Sequence, residues 1–149
     1  MTITPQNMLL DSGTSGPLPR ASADLVQEKV FAASAGAAAT LAPLTPIAKN
    51  SSTGFHVSAV NGGANSTGVI IGFAWDFRTI QGAATPGITV NASGGGESQG
   101  NVMTAGMVDF RDIPFATFGT LDQLKAAIRT QSPSLRTLDL IIVGLEGVP

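Results

Sequence analysis

The residues with the clearest potential for chemistry form a short serine motif, residues 96–100, with the sequence GESQG. It matches the G-x-S-x-G pattern of a nucleophile elbow, in which a serine stands on a sharp turn between a strand and a helix, with a histidine later in the chain. Here glycines precede Ser98, a strand-like run follows it, and the single histidine, His56, lies upstream. Because a loop rich in glycine and serine matches five positions easily by chance, a serine hydrolase is the least favoured function.

Three other groups of residues can be considered for chemistry, and each has a simpler structural interpretation. His56 cannot form a metal site without partners at ligand spacing, so we interpret it as a strand histidine on a polar face. Asp109 and Asp112 flank Arg111 and are interpreted as turn residues with a local ion pair. The loop at residues 94–96 lacks the Gly-Lys-Ser/Thr ending of a phosphate-binding loop. We therefore predict no catalytic, cofactor-binding or metal site, and no cofactor.

Length and composition narrow the class of protein. The 149 residues suffice for one domain, which would bury about two-thirds of its unfolded surface. Hydrophobic residues make up 43% of the chain, which argues against wholesale disorder. A net charge of −2 and the lack of a Lys/Arg cluster argue against nucleic acid as a partner. The lack of cysteine excludes disulfides and thiolate metal sites.

The charged residues are few and unevenly placed. They make up 12% of the chain, about half the usual share for a soluble domain. Only four lie between Val30 and Val108: Lys49, Asp76, Arg78 and Glu97. Such a region is more stable in water when copies of the chain or a partner cover much of it. A neutral surface of Thr, Ser, Asn and Gly explains the composition equally well.

No segment has the pattern of a membrane or secretion signal. The N-terminus lacks the basic start and the apolar run of a signal peptide. The uncharged run at residues 30–48 is long, but Pro43, Pro46 and its polar residues would make it insert poorly. We therefore expect a soluble protein without a membrane partner.

The first 24 residues are predicted to form an extended arm, followed by one domain at residues 25–149. Proline and glycine recur in the arm, and neither a helical nor a strand period persists. One apolar patch interrupts it, Met8, Leu9 and Leu10. Two interpretations stay open: a tail without a role, or a segment that orders on docking, with Met8, Leu9, Leu10 and the earlier Ile3 as its anchors.

The sequence of the domain predicts a β-rich α+β fold with one helix near the C-terminus. Residues 25–32 suit a strand or a short helix, and residues 41–48 must be extended because of their two prolines. Trp75 and Phe77 suit a stacking platform or the edge of a core equally well. Further strands are predicted at residues 55–60, 68–75, 87–90, 102–108 and 138–143, the last one buried, with a loop at 93–101.

The helix is predicted from its start signal and its apolar spacing. Thr120 and Gln123 fit a capping box, in which a hydroxyl and a glutamine side chain satisfy the first free amides of a helix. Leu121, Leu124 and Ile128 repeat at helical spacing. The run around Pro133 is predicted to end the helix.

The order of these pieces resembles the head-decoration, or capsid cement, proteins of lambda-like tailed bacteriophages. Those proteins place an extended proline-containing strand, a polar turn and a glycine-bounded apolar strand in this sequence. The resemblance spans roughly residues 38–143, and its motifs are residues 40–49 (TLAPLTPIAK), the strand with Val57, residues 67–72 (TGVIIG), residues 104–108 (TAGMV), Ile113-Pro114, the helix at 121–129 and residues 140–143 (LIIV).

This resemblance implies a β-clip-like decoration domain that forms a homotrimer on the outer surface of the virion capsid. It also implies a non-enzymatic structural protein, made in the host cytoplasm, whose N-terminal arm orders against the major capsid protein. Two features depart from the family pattern: the segment before residue 38 is long, and residues 82–101 are rich in Gly and Ser. A tail or fibre component of a phage is the alternative, because such a module shares the low charge and the β-rich composition.

Overall fold

A computed structural model describes residues 21–34, 36–76 and 86–147. The strands are β1 (Ala21–Phe31), β2 (Ala39–Leu41), β3 (Pro46–Lys49), β4 (His56–Ser58), β5 (Gly72–Ala74), β6 (Ile88–Val90), β7 (Ser98–Asp109) and β8 (Leu140–Val143). Helix α1 spans Leu121–Thr137, and the 3-10 helices η1 and η2 span Phe110–Asp112 and Leu145–Gly147. The α+β, strand-rich class with one α-helix near the C-terminus is therefore confirmed for the described chain.

Five strands form a closed ring of pairings. β1 pairs with β4, β4 with β3, β3 with β5, β5 with β7, and β7 returns to β1. β8 pairs in parallel with the last residues of β7, on the edge opposite β1. β2 and β6 form a separate two-stranded sheet. The ring closes through a single residue pair between β1 and β4, Phe31 opposite His56, so the rest of β1 pairs along one edge only, with β7.

The longest pairing joins β1 to β7 in antiparallel orientation, from Ala21 opposite Val108 to Phe31 opposite Ser98. Register shifts near Leu25 mark β-bulges, which increase the twist of the pair. Gly106 has a φ of 141°, and a Cβ there would collide with the carbonyl of Ser22, so only glycine fits this close approach.

The N-terminal boundary of the domain differs from the predicted one. β1 begins at Ala21, so residues 21–24 belong to the sheet and not to the arm predicted at residues 1–24. The short sequence ASAD has no strand period of its own, and its pairing with β7 supplies the strand conformation. Residues 1–20 lie outside the described residues. Residues 25–31, for which a helix was an open alternative, are strand.

Two hydrophobic clusters hold the elements together. The larger cluster lies between the sheet and α1 and contains Phe73, Met103, Phe110, Leu124 and Leu135, all nearly inaccessible to solvent. The smaller one joins the ring to the β2–β6 sheet, and its members are Phe31, Leu41, Ile47, Ala74, Ile88, Val90 and Val102. Trp75 is half-buried against the larger cluster, in agreement with its interpretation as the edge of a core.

The helix begins as predicted and ends later than predicted. The Thr120 hydroxyl accepts from the amide of Gln123, and the Gln123 side chain accepts from the Thr120 amide, which completes the capping box. The prediction that the run around Pro133 ends the helix is wrong, because α1 continues to Thr137. Burial of Leu135 contributes about 2 kcal/mol and offsets much of the cost of an interior proline, about 3 kcal/mol. A proline φ also suits a helix.

Two other predicted boundaries are corrected. Of the strand predicted at residues 68–75, only Gly72–Ala74 is in β5; Gly68 lies in a turn, Val69 in a bend, and residues 70–71 and 75 in no regular element. The loop predicted at 93–101 ends earlier, because β7 already begins at Ser98. The Asn91 side chain holds the end of this loop, because its Nδ2 donates to the backbone carbonyl of Glu97 at 3.1 Å. Pairing with β1 extends β7 into this Gly- and Ser-rich sequence.

A glutamine on the helix replaces a missing strand partner. The backbone amide of Ile70 donates to Gln131 Oε1 at 2.8 Å, and Gln131 Nε2 donates to the carbonyl of Gly68 at 2.9 Å. The Gln131 side chain thereby holds residues 68–70 against the helix as a neighbouring strand would. Ile70 is 2% exposed, so its amide depends on this partner.

We predict that Gln131→Ala lowers the free energy of unfolding by about 2 kcal/mol, because it leaves a buried amide and a carbonyl without partners. Gln131→Glu keeps the acceptor for the Ile70 amide and loses the donor to the Gly68 carbonyl. We expect it to lower the free energy of unfolding as well. Thr130→Ala, at the exposed neighbouring position, is the matched control and should change the free energy by less than about 0.5 kcal/mol. Urea unfolding measures all three, and equal stabilities for Gln131→Ala and Thr130→Ala would contradict the role of Gln131.

Candidate interaction surface

The residues predicted as anchors, Ile3, Met8, Leu9 and Leu10, lie outside the described residues. Among the described residues, the candidate surface lies where β7 ends. At that point three elements meet: the last residues of β7, the edge strand β8 and the 3-10 helix η1.

The end of β7 is fixed by an ion pair with two short contacts. Arg111 Nε and Nη2 donate to Asp109 Oδ1 and Oδ2 at 2.9 and 2.6 Å, and the Arg111 amide donates to Oδ1 at 3.0 Å. Asp109 is buried whereas Arg111 is exposed, and this hydrogen-bonded carboxylate raises the pKa of Arg111 above its ordinary value. The predicted local ion pair is confirmed. It turns the chain from β7 into η1.

Gly144 makes room for this pair. It follows β8 with a φ of 79°, and a Cβ at this position would lie 2.6 Å from Asp109 Oδ1. Any other residue would therefore push against the carboxylate that Arg111 holds. β8 ends here because the chain must turn with a positive φ, which glycine adopts at the lowest cost.

Exposed apolar side chains cluster beside the ion pair. Met107 of β7 lies opposite Ile141 of β8, and Val143 lies two residues further along the same face. Their side chains are 45%, 50% and 39% exposed. Opposite residues in paired strands are neighbours on one face of a sheet, so these three form a continuous apolar surface, here called the β8 corner.

The prediction that residues 138–143 form a buried strand is wrong in part, because the strand begins only at Leu140 and four of the six residues are exposed. Leu140 is buried, but Ile141 and Val143 face solvent. In the described part of the chain, β8 pairs along one edge only, with β7. An edge strand with exposed isoleucine and valine tends to associate with another chain unless something covers it.

The β8 corner continues into a groove beside the helix. This groove of about 490 Å³ is lined by Leu135 and Leu140 at its base and reaches Ile141 and Val143. Arg129, Arg136 and Glu146 line it as well. An apolar centre with charged residues around it is the usual anatomy of a protein interface, in which arginine is enriched.

A second depression borders the Asp109–Arg111 pair and has a volume of about 550 Å³. Its lining is largely apolar but includes two charged residues: Ala42, Pro43, Phe110, Arg111, Asp112, Ile113, Pro114, Phe115, Ala116 and Leu121. Phe115 lies in neither a strand nor a helix, and its side chain is 43% exposed, which is high for an aromatic residue. We call this surface the Phe115 depression.

The serine motif does not have the geometry of a nucleophile elbow. Ser98 is the first residue of a long strand, where an elbow requires a turn into a helix. Phe31 of β1 pairs with Ser98 on one side and with His56 on the other, so β1 separates the two residues. The ring of His56 instead faces that of Phe31, with 6.0 Å between ring centroids. Ser98 Oγ is buried without a hydrogen-bond partner, as is Thr104 Oγ1.

No family model, curated protein or solved structure matches this chain. Residues 21–34, 36–76 and 86–147 contain no cluster of three His, Asp or Glu side chains that could hold a metal ion. None of the helices described is long and apolar enough to cross a membrane.

Sequence reasoning did not identify the β8 corner or the Phe115 depression. The signal for the corner was present, because residues 140–143 are apolar without interruption, but such a run suits a strand buried on both faces equally well. The position of β8 at the edge of the sheet is what distinguishes an exposed strand from one buried on both faces. For Phe115, no local pattern indicates exposure.

We predict that His56 makes the domain less stable as the pH falls from 7.5 to 5. Burial is the largest cause that lowers the pKa of His56 below 6.5, and Lys29 and Lys49 lower it further, against a hydrogen bond that the His56 ring donates to the backbone carbonyl of Val30, which raises it. The unfolded chain therefore takes up the proton first, and the free energy of unfolding decreases below pH 6.5.

His56→Gln has no proton to take up and should show a smaller decrease over the same range. Urea unfolding at half-unit intervals of pH measures both proteins. Parallel curves for the wild type and His56→Gln would contradict this assignment, whereas a steeper fall for the wild type supports it.

Proposed function

We propose that this chain is a head-decoration protein, which binds the outside of an assembled bacteriophage capsid as a homotrimer and stabilises the shell. The observation that supports it best is the β8 corner, an exposed apolar surface on an edge strand of a β-rich domain. The resemblance of residues 38–143 to lambda-like decoration proteins gives this surface its context. In this proposal the strand ring with its added helix is a β-clip-like arrangement.

Two different contacts are proposed: one between copies of the chain within the trimer, and one between the chain and the major capsid protein. The β8 corner contacts other copies within the trimer, because burial there covers Met107, Ile141 and Val143 and removes the free edge of β8. The arm contacts the major capsid protein through Ile3, Met8, Leu9 and Leu10.

Shell stabilisation then follows from mass action. A protein that binds the assembled shell and not its dissociated subunits stabilises the shell by its differential binding free energy. Each arm buries only a few apolar side chains, so a single arm binds weakly. Three arms on one trimer bind as a multivalent unit, whose affinity exceeds that of one arm by about 10²–10⁴ when the geometry permits.

We predict that replacing Ile3, Met8, Leu9 and Leu10 together by Ser abolishes head binding and leaves the fold and the solution mass unchanged. The substituted residues precede β1, which begins at Ala21, so the sheet keeps all its pairings. The matched control replaces the polar neighbours Thr2, Thr4, Gln6 and Asn7 by Ser and should bind like the wild type. Co-sedimentation with undecorated heads of the phage that encodes the chain measures occupancy, and full occupancy by the first variant would exclude the arm as the anchor.

We predict that Ile141→Glu converts the trimer to a monomer, because a carboxylate at the centre of the β8 corner would be desolvated in the interface. Val69→Glu is the control: Val69 is 46% exposed, similar to Ile141 at 50%, and lines a different depression beside Lys49. Light scattering gives the mass of each protein, and circular dichroism checks the fold. A trimer that persists in Ile141→Glu would remove the corner from the subunit interface.

A further inference from the structure

We infer that copies of this chain join head to tail, with the free edge of β8 in one copy paired to the free edge of β1 in the next. This pairing rests on the proposed function for the number of copies, three, and adds the surface that the β8 corner contacts. Two free strand edges, exposed apolar side chains on both of them and opposite charges beside them support it.

In the described part of the chain, β1 has a long free edge. One side of its eleven residues pairs with β7, but on the other side only Phe31 pairs, with His56 of β4. Residues 24–28 are all exposed, so the described residues leave this stretch of β1 largely open. An open strand edge presents backbone N–H and C=O groups with which another strand can pair. β8 has four residues, so the stretch is long enough to pair with all of them.

The two free edges differ, which favours a head-to-tail order. Residues 106–109 of β7 pair with β8 on one side, and residues 106–108 pair with the start of β1 on the other. The strand order here is therefore β1-β7-β8, with a different free edge at each side. Pairing of β8 with β8 would give a twofold dimer that leaves β1 open in both copies, whereas pairing of β8 with β1 uses both edges.

Apolar side chains are exposed on both edge strands. Leu25 and Val26 of β1 are 47% and 38% exposed, much like Ile141 and Val143 of β8 at 50% and 39%. Aliphatic side chains on paired strands contact one another across the pair. Head-to-tail pairing therefore removes from water aliphatic groups of both strands that a single copy leaves exposed.

The charges beside the two edges are opposite in sign. The exposed stretch of β1 carries two carboxylates and no cation, and the ammonium group of the next residue, Lys29, donates to Gln27 Oε1 at 2.5 Å. These two carboxylates belong to Asp24 and Glu28. The groove beside β8 is lined by two guanidinium groups and one carboxylate, those of Arg129, Arg136 and Glu146. Asp139 precedes β8 and is not part of this lining. The unlike edges therefore attract each other, whereas two like edges repel.

Head-to-tail pairing also explains how assembly stops. In a closed trimer every copy uses both of its edges, so the strands of the three copies form one continuous circuit without an open end. An interface between two different surfaces closes in this way when the rotation between copies permits, and otherwise continues into a filament. Closure therefore turns two edges that favour aggregation into one finite assembly.

Disulfide trapping between two copies tests the pairing, since the protein has no cysteine of its own. Copies with Leu25→Cys or with Val26→Cys are each produced in one cell together with copies that carry Ile141→Cys and a longer tag. The control pairs Val69→Cys with Ile141→Cys, because Val69 is 46% exposed and lines a different depression. After mild oxidation, non-reducing electrophoresis separates mixed pairs from like pairs by size.

We expect at least one of the two mixed pairs to link at least about tenfold faster than the control pair, because pairing raises the effective concentration of one cysteine at the other. It should also link faster than either like pair. Equal rates for the mixed and control pairs would overturn the inference. Faster linkage of Ile141→Cys to itself would also overturn it, because β8 would then lie against β8.

A chain with both cysteines tests closure. The β1 cysteine that links faster is combined with Ile141→Cys in one chain, in which β7 lies between the two positions and keeps them too far apart to link within a copy. Covalent species that end at three copies support the closed trimer. A ladder that ends at two copies or continues beyond three would overturn it.

Charge reversal tests the same pairing without cysteines. Asp24→Lys with Glu28→Lys should raise the dissociation constant of the trimer by about tenfold, because attraction between the edges becomes repulsion. Adding Arg129→Glu and Arg136→Glu to the same chain should restore it. Light scattering over a range of concentrations measures the constant, and a fourfold variant that stays as weak as the twofold one would contradict the pairing.

These measurements use no heads, so the two proposals can fail separately. A trimer that sediments with heads but forms no mixed disulfide would remove the strand pairing and leave the decoration proposal standing. Linked trimers that do not bind heads would remove the decoration proposal and leave the pairing. A protein that is monomeric by light scattering would overturn the pairing directly.

Discussion

The whole described body depends on β7, because both of its edges are paired. β1 covers one edge along almost the full length of β7, while β5 and then β8 cover the other. This arrangement closes the ring, and it places β8 at the outside with its second edge unpaired among the described residues. The exposed apolar corner is therefore a consequence of how the ring closes. The same strand ends in the Asp109–Arg111 pair, and Arg111 lines the Phe115 depression.

Features that depend on neighbouring residues could be predicted from the sequence. The capping box of Thr120 and Gln123 and the ion pair of Asp109 and Arg111 both involve residues no more than three positions apart, and both were confirmed. The α+β class followed from the spacing of apolar residues. Such local signals retain their meaning in the fold because the partners are already close in the chain.

Features that depend on distant partners were missed. Pro133 was expected to end the helix, but Leu135 packs in a core that forms only when the sheet is present. The apolar residues 68–71 have the composition of a strand, yet Gln131 supplies the partner that a strand would have given Ile70. Ile141 and Val143 have the composition of core residues and face solvent because β8 lies at an edge. In each case tertiary context overrides local propensity.

The central claim is that this chain binds the outside of assembled capsids. The most direct test is to mix the purified wild-type protein with undecorated heads and, separately, with purified tails of the same phage, and to measure the protein that sediments with each. The account predicts saturable binding to heads, no binding to tails, and heads that withstand a higher temperature after saturation. Heads that sediment without the protein, or binding to tails instead, would contradict it.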